Sequence, residues 1–116
     1  MRTVAILDSD SDGGALASTV AWFGDHAPDL EVTIAVPSWG ELLTSERFPP
    51  NAVVLCPRAG DRVDIAYKAR VCRILDIDVV VLSDAPQQDI RSGHRSVGAT
   101  SVSTVEAAAE ALRAAR

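Results

Sequence analysis

Three aspartates and one cysteine are the residues of this chain best suited to chemistry. Asp8, Asp10 and Asp12 alternate with serines directly after a short apolar run, and Cys56 ends a second apolar run over residues 53–55. Carboxylate oxygens are the ligands that Mg²⁺ and Ca²⁺ prefer, and a cysteine thiolate is a nucleophile. These residue types therefore allow a metal site, a covalent site or a ligand-sensing pocket, provided that the fold brings the two segments together.

Short apolar stretches alternate with helical patterns along the whole chain. The stretch that ends at Cys56 has prolines on both sides, which is typical of a buried strand in the middle of a parallel sheet. The segments between strands place apolar residues at i, i+4 and i+7 or open with capping boxes such as Ser38 to Glu41. Strands are predicted over residues 3–7, 30–35, 53–55, 79–82 and 100–102.

This alternation of strands and helices predicts an α/β fold, because consecutive βαβ units with right-handed crossovers build a parallel sheet. The first, third and fourth strands are apolar, whereas the second alternates and the fifth is short and polar. Weak strands suit the sheet edges, so we expect a flavodoxin-like three-layer sandwich of five βα units with strand order 2-1-3-4-5. Ligands collect at the carboxyl ends of such strands, where Asp8 and Cys56 would lie.

Composition limits the classes of function. The 116 residues suit one domain over 1–116, and 47% hydrophobic with 23% charged residues is ordinary for a globular protein. A net charge of -5 argues against direct contact of this domain with nucleic acid. No apolar run has the length of a membrane span and no signal peptide is visible, so we expect a cytoplasmic protein without a membrane partner. In that compartment Cys56 and Cys72 would be free thiols.

The ordered set of strand ends resembles the receiver domain of bacterial response regulators along essentially the whole chain. The first strand ends in Asp8-Ser9 and is similar to the family's first strand, which ends in two acids that hold Mg²⁺. The strand that ends in Cys56 is similar to the one that carries the phosphoacceptor aspartate. The strand that ends at Ser83 is similar to the one whose hydroxyl senses the phosphoryl group.

Most of the chemical positions of that family are altered here. Ser9 stands where the second acid belongs, and Cys56 stands where the phosphoacceptor belongs. The only lysine is Lys68, in the third predicted helix, so the fifth-strand lysine of the family is absent. The resemblance therefore implies a degenerate phosphorylation pocket made of Asp8, Ser9, Cys56 and Ser83, with no catalytic residue, no cofactor and no Mg²⁺.

The resemblance also implies a function and partners. An atypical receiver would be phosphorylation-independent, would not be an enzyme, and would act by dimerisation or by binding a partner or effector in transcription regulation. Receivers usually precede a DNA-binding output domain, so an output domain or regulatory protein is an expected partner, whether the chain is excised from a longer regulator or stands alone. Receivers commonly dimerise through their last two helices, which makes these residues interface candidates for a homodimer: Asp89, Arg91, Arg95, Glu106, Glu110 and Arg113.

The acidic loop allows two other interpretations. The pattern of Asp8, Asp10 and Asp12 followed by a glycine matches the first half of a calcium loop, but Thr19 occupies the twelfth position, where a glutamate is needed. The same pattern is similar to that of haloacid-dehalogenase phosphatases, but Asp12 stands where that family has a threonine. A helix-capping loop is the simpler interpretation, with Asp8 and Asp10 as weak metal candidates.

Cys56 also has two interpretations. A small buried hydrophobe is the simpler one, because free cysteine is among the most buried residue types. The alternative is a small-molecule or redox-sensing domain that uses the pocket of Asp8 and Cys56, in which Arg58 would lower the pKa of the thiol and Asp8 would raise it. A bridge to Cys72 is not expected, because a strand end and a helix middle rarely bring two Cα atoms within about 7 Å.

Overall fold

The chain folds as five strands with helices on both faces of the sheet. A computed structural model describes residues 2–8, 14–56, 65–82, 100–102 and 104–114. The strands are β1 (Arg2–Asp8), β2 (Leu30–Val36), β3 (Ala52–Cys56), β4 (Asp78–Leu82) and β5 (Thr100–Val102). The helices of the described residues are α1 (Gly14–His26), α2 (Trp39–Leu43), α3 (Ile65–Ile74) and α4 (Val105–Ala114).

All strand pairs are parallel, and the sheet order is β2-β1-β3-β4-β5. The predicted flavodoxin-like fold and its strand order are therefore confirmed. Every residue of β3 is buried, because helices cover both faces of this central strand and its two neighbours cover its edges. The continuous apolar run that predicted β3 is the sequence signature of such a position.

Two apolar clusters lie on opposite faces of the sheet. The α1–α4 layer packs Phe23 of α1 and Leu112 of α4 against alternate strand residues such as Ile6 and Val54. The α2–α3 layer packs helix residues against the other strand residues, and its core consists of Ala5, Leu7, Ile34, Leu42, Val53, Leu55, Ala69, Cys72, Ile77, Val79 and Val81. The alternation of strand side chains between two faces thus divides one sheet into two cores.

A β-bulge at Thr33 interrupts the alternation of β2. The register steps from Val4 opposite Val32 to Ala5 opposite Ile34, so Thr33 has no residue directly opposite. As a result Val32 packs in the α1–α4 layer and Ile34 in the α2–α3 layer, although alternation had predicted both on one face. The Thr33 hydroxyl is buried, with no hydrogen-bond partner among the described residues.

Polar contacts close the amino edge of the sheet. Arg2 at the start of β1 donates to the carboxylate of Asp78 at the start of β4, at 2.7 Å. The side-chain oxygen of Asn51 accepts from the Thr3 amide at 2.9 Å and from the Thr3 hydroxyl at 3.1 Å. These contacts fix the register of β1 with β3 at the edge opposite to Asp8 and Cys56.

Helix α3 ends in a Schellman motif. The amide of Ile77 donates to the carbonyl of Cys72 at 2.8 Å, and the amide of Asp76 donates to the carbonyl of Arg73 at 3.1 Å. Asp76 has a φ of 61°, the left-handed conformation that this motif requires and that glycine adopts most readily. The motif returns the chain at once to the sheet, where Ile77 is buried.

Two predictions about helices have different outcomes. Gly24 and Pro28 were expected to end the first helix, and α1 ends at His26, between these two residues. A further helix was predicted to begin at Asp84 and to be the least stable element. That segment, which contains Asp89, Arg91 and Arg95, lies outside the described residues.

Candidate functional site

The carboxyl edge of the sheet brings Asp8 and Cys56 together. Asp8 is the last residue of β1, Cys56 is the last residue of β3, and the two are direct partners in the parallel register. Neighbouring strands are about 4.8 Å apart, so the two side chains start from adjacent backbone positions. The sequence prediction that these residues meet at this edge is borne out by the strand pairing.

Both side chains are almost completely buried on the same side of the sheet. Asp8 is 1% exposed and Cys56 is 7% exposed. Cys56 packs in the α1–α4 layer together with Ile6 and Val54. Asp8 follows Ile6 by two residues along β1, so it projects from that same face.

Burial limits the access of reagents to Cys56. Its side chain is 7% exposed and packs in the apolar core of the α1–α4 layer. Reactive cysteines are partly exposed, so the described geometry favours a packing role, that of a small apolar group.

The described residues do not make a magnesium site at this edge. Asp8 supplies one carboxylate, and the sulfur of Cys56 is a poor ligand for a hard cation that prefers oxygen. No group of three or more histidine, cysteine, aspartate or glutamate side chains suited to a metal occurs within the described ranges. The other predicted pocket positions, Ser9, Asp10 and Ser83, lie outside them, as does Arg58.

The fifth strand offers no cation. Its residues are Thr100, Ser101 and Val102, so β5 carries no lysine. Lys68 instead lies in α3, on the other layer of the molecule, where it is 5% exposed. Its position in the third helix was predicted, but its burial was not, because a lysine on an amphipathic helix normally reaches water.

Cys72 belongs to the opposite face of the sheet from Cys56. It is a free thiol in the core of the α2–α3 layer, and burial raises its pKa to about 11. Cys56 is also free, and the two cysteines belong to clusters that the sheet separates. The expectation that they form no bridge is therefore confirmed.

The interface candidates on the last helix are exposed, but one of them is engaged within the chain. Glu106, Glu110 and Arg113 lie on the outer side of α4. Arg113 donates two hydrogen bonds to the carboxylate of Asp29, at 2.9 Å and 2.8 Å, just before β2 begins. This bidentate contact holds the pKa of Asp29 below its ordinary value.

Apolar side chains are exposed on the α2–α3 layer, and the sequence patterns did not predict them. Leu75 lies just after α3 and is 45% exposed. Leu43 and Tyr67 are also exposed, and Ile74 is 77% exposed. The sequence contains one indication of this exposure. Ile74 and Leu75 follow the buried Cys72, so the apolar residues continue along the chain beyond the part of the helix that packs on the sheet.

An open groove lies elsewhere, between the end of α1 and the start of β2. Phe23, Pro28 and Leu30 are among the residues that line its volume of about 400 Å³. Because β2 runs parallel to β1, the start of β2 is at the amino edge of the sheet. The groove is therefore remote from Asp8 and Cys56.

Two solved structures share this arrangement over nearly the whole chain. A DNA-binding response regulator of the LuxR family from Staphylococcus aureus superposes with a TM-score of 0.78 at 14% identity, covering 97% of each chain. The signal receiver domain of the response regulator NarL from Mycobacterium tuberculosis gives a TM-score of 0.71 at 15% identity, covering 98% of this chain and 94% of that chain. The fold is that of a response-regulator receiver domain. No protein-family model and no curated protein sequence matches the chain.

Asp8 and Cys56 lie at the carboxyl ends of β1 and β3, the edge at which parallel α/β sheets bind their ligands. Among the described helices, none has the length and apolar character needed to cross a membrane. The chain thus combines the five-stranded parallel sheet of this fold with a buried aspartate and a buried cysteine at one edge.

Proposed function

We propose that this chain is a receiver-like regulatory domain that aspartyl phosphorylation does not switch. It acts by dimerisation or by binding a partner or effector, in transcription regulation in the cytoplasm. The observation that carries this proposal is the pairing of Cys56 with Asp8 at the carboxyl ends of β3 and β1. A thiol at that position lacks the two oxygens with which an aspartate accepts a phosphoryl group and binds Mg²⁺.

The absence of lysine from β5 supports the same proposal. A phosphoryl group at this edge would bring roughly two negative charges next to the buried carboxyl group of Asp8. Thr100, Ser101 and Val102 supply no positive charge to neutralise them. Two of the chemical requirements of the phosphorylated receiver, the acceptor and the cation, are thus missing from the strands that would carry them.

A partner for such a domain is suggested by the proteins that share its fold. One of them is a DNA-binding response regulator, which supports an output domain or regulatory protein as partner here. The chain itself carries a net charge of -5, which favours protein contacts over direct contact with nucleic acid.

Intact mass after incubation with acetyl phosphate and Mg²⁺ tests the proposal. We expect no phosphoryl adduct on this protein under conditions in which a control receiver with an aspartate acceptor gains one. A stoichiometric adduct would contradict the proposal. The Cys56→Ser variant would then show whether the acceptor is Cys56, since an adduct on sulfur is lost from that variant.

Two further assays test the lesser alternatives. A phosphatase would hydrolyse a generic phosphoester with Mg²⁺ and would lose that activity in Asp8→Asn, whereas we expect no hydrolysis by either protein. A redox sensor would expose a reactive thiol, whereas the burial of Cys56 leads us to expect slow reaction with a thiol reagent until the protein unfolds.

A further inference from the structure

The α2–α3 layer carries an apolar surface that the fold does not cover. Among the described residues, the large hydrophobic side chains that are exposed all belong to this layer: Leu43, Tyr67, Ile74 and Leu75. Together they expose on the order of 400 Å² of apolar area, as much as the largest patch of a typical monomer, and such patches are often interaction sites.

The surface is continuous across the two helices. The rings of Trp39 on α2 and Tyr67 on α3 meet edge to face with centroids 6.5 Å apart. Leu43 lies one helical turn after Trp39, and Ile74 lies two turns after Tyr67, so the apolar side chains extend along both helices from that contact. Both helices follow strands of one parallel sheet, so they run in the same direction.

The two helices have opposite charge. Helix α3 contains Lys68, Arg70 and Arg73 and no acidic residue, whereas α2 contains Glu41 and no basic residue. Arg70, Arg73 and Glu41 are exposed. The turns that follow carry both signs, with Glu46 and Arg47 after α2 and Asp76 after α3.

A surface with an apolar centre and opposite charges on its two sides is complementary to itself. A two-fold axis in the interface plane and parallel to the helices places α2 of one copy against α3 of the other. Glu41 of each copy then faces Arg70 and Arg73 of the other, while Leu43, Tyr67 and Ile74 meet in the centre. We propose that two copies of this chain form a homodimer through this surface of α2 and α3.

The proposed function states that the domain acts by dimerisation or by binding a partner. The dimer rests on that proposal and specifies its surface and its partner. The apolar centre supplies about half of the roughly 800 Å² per partner that a stable interface buries, and the charged and polar residues around it supply the remainder. The interface candidates of the last helix are not part of it, and Arg113 is already held by Asp29.

Sedimentation velocity of the 116-residue chain over a range of concentrations tests the dimer. We expect a concentration-dependent dimer that Ile74→Glu weakens at least about thirtyfold, because a charge would be buried at the centre of the interface. Ala21→Glu is the matched control, since Ala21 is also exposed on a helix but belongs to α1, and it should leave the dimer unchanged. Ile74 is 77% exposed, so both variants should keep the fold, which circular dichroism would verify.

A charge exchange tests the predicted pairing of α2 with α3. In the Glu41→Arg variant, the exposed charges of α2 and α3 are all basic. In the Arg70→Glu and Arg73→Glu double variant, the exposed charges of both helices are acidic. Each variant alone should dimerise about tenfold more weakly, because like charges now face each other, and an equimolar mixture should recover a heterodimer. Circular dichroism and thermal unfolding would verify the Glu41→Arg fold, since Glu41 also accepts a hydrogen bond from Ser38.

Three results would overturn the dimer. They are a monomer at all concentrations, a dimer that Ile74→Glu leaves intact, and a mixture of charge variants that stays monomeric. None of these results bears on the phosphoryl-transfer assay, so the dimer can fail while the proposed function stands, and an adduct with acetyl phosphate would refute the proposed function while the dimer remains.

Discussion

The helical layers on the two faces of the sheet differ in the side chains that they expose to solvent. In the α1–α4 layer the helices bury Phe23 and Leu112, and the outer side of α4 is charged, with Arg113 tied to Asp29. In the α2–α3 layer the core is equally well buried, but Tyr67 and Ile74 remain outside it. A layer that only needs to cover a sheet does not need apolar residues on its outer side.

The two cores are built alike, but only the α2–α3 layer also exposes large apolar side chains among the described residues. Leu42 and Leu112 are both completely buried, so each layer has the anchor that its own stability requires. The exposed hydrophobic side chains of α2 and α3 add nothing to that anchor, which is why we assign them to an interface.

The largest expected effect comes from shortening the buried anchors. Leu42→Ala and Leu112→Ala should each lower the free energy of unfolding by about 3 kcal/mol, because each removes buried methyl groups and leaves a cavity. Leu43→Ala, next to Leu42 but on the outer side, should change it by less than about 0.5 kcal/mol. Urea unfolding at low protein concentration measures all three, and a cost for Leu43→Ala near that of Leu42→Ala would contradict the assignment of Leu43 to an interface.

The next effect is a decrease in the free energy of unfolding at alkaline pH, caused by Cys72 in the α2–α3 layer. Burial raises the pKa of Cys72 to about 11, from an ordinary value of 9.0. Between these pH values the unfolded thiol ionises while the folded one stays neutral, so stability falls as the pH rises, by about 2–3 kcal/mol in all. Cys72→Ala should remove this pH dependence, whereas an unchanged slope in chemical denaturation between pH 9 and pH 11 would show that another group causes it.

A smaller gain is expected where α3 ends. Asp76→Gly should stabilise the protein by about 0.5–1 kcal/mol, because glycine adopts the left-handed conformation of the Schellman motif without a steric cost. Asp76→Ala is the matched control and should destabilise it, since alanine lacks both that freedom and a polar side chain. Thermal unfolding of the two variants should give shifts of opposite sign, and shifts of the same sign would contradict this explanation.

The smallest effect concerns the surface contact of the α1–α4 layer. Arg113 lowers the pKa of Asp29 below 3.8, so the contribution of this pair is complete above that pH and is lost as the pH falls through the lowered pKa. Both side chains are well exposed, so water and salt screen the contact. Arg113→Ala should return the pKa of Asp29 towards 3.8 in an NMR titration, and a pKa that does not move would show that Arg113 is not the cause.

The sheet could be predicted from the sequence because the apolar pattern of each strand matches its position inside or at the edge of the sheet. Three apolar strands and two weaker ones indicated the order of the sheet, and Asp8 and Cys56 were predicted to meet because parallel strands end at one edge. That Cys56 stands where the receiver family has its aspartate stays a prediction from the sequence, which rests on the resemblance of the surrounding strand.

The remaining features depend on contacts that no local pattern contains. Thr33 alternates correctly in the sequence, yet a bulge sends Val32 and Ile34 to opposite faces. Lys68 is buried and Leu75 is exposed, because the positions of neighbouring elements decide how far each helix face is covered. The pairing of Arg113 with Asp29 joins residues 84 positions apart in the chain, which spacing alone cannot reveal.

The position of β1 between β2 and β3 determines when the sheet can form. β1 pairs with β2 on one side and with β3 on the other, so Val4 must find Ala52 across nearly half of the sequence. Closing such a loop costs about 3 kcal/mol in chain entropy for its length alone, and this cost arises before the contacts between β1 and β3 can stabilise the fold. During synthesis β1 can pair with β2 and pack against α1 first, but its other edge stays unpaired until β3 has been made. The productive nucleus is expected to join these two distant segments, with the register set by Thr3 and Asn51 at their shared end.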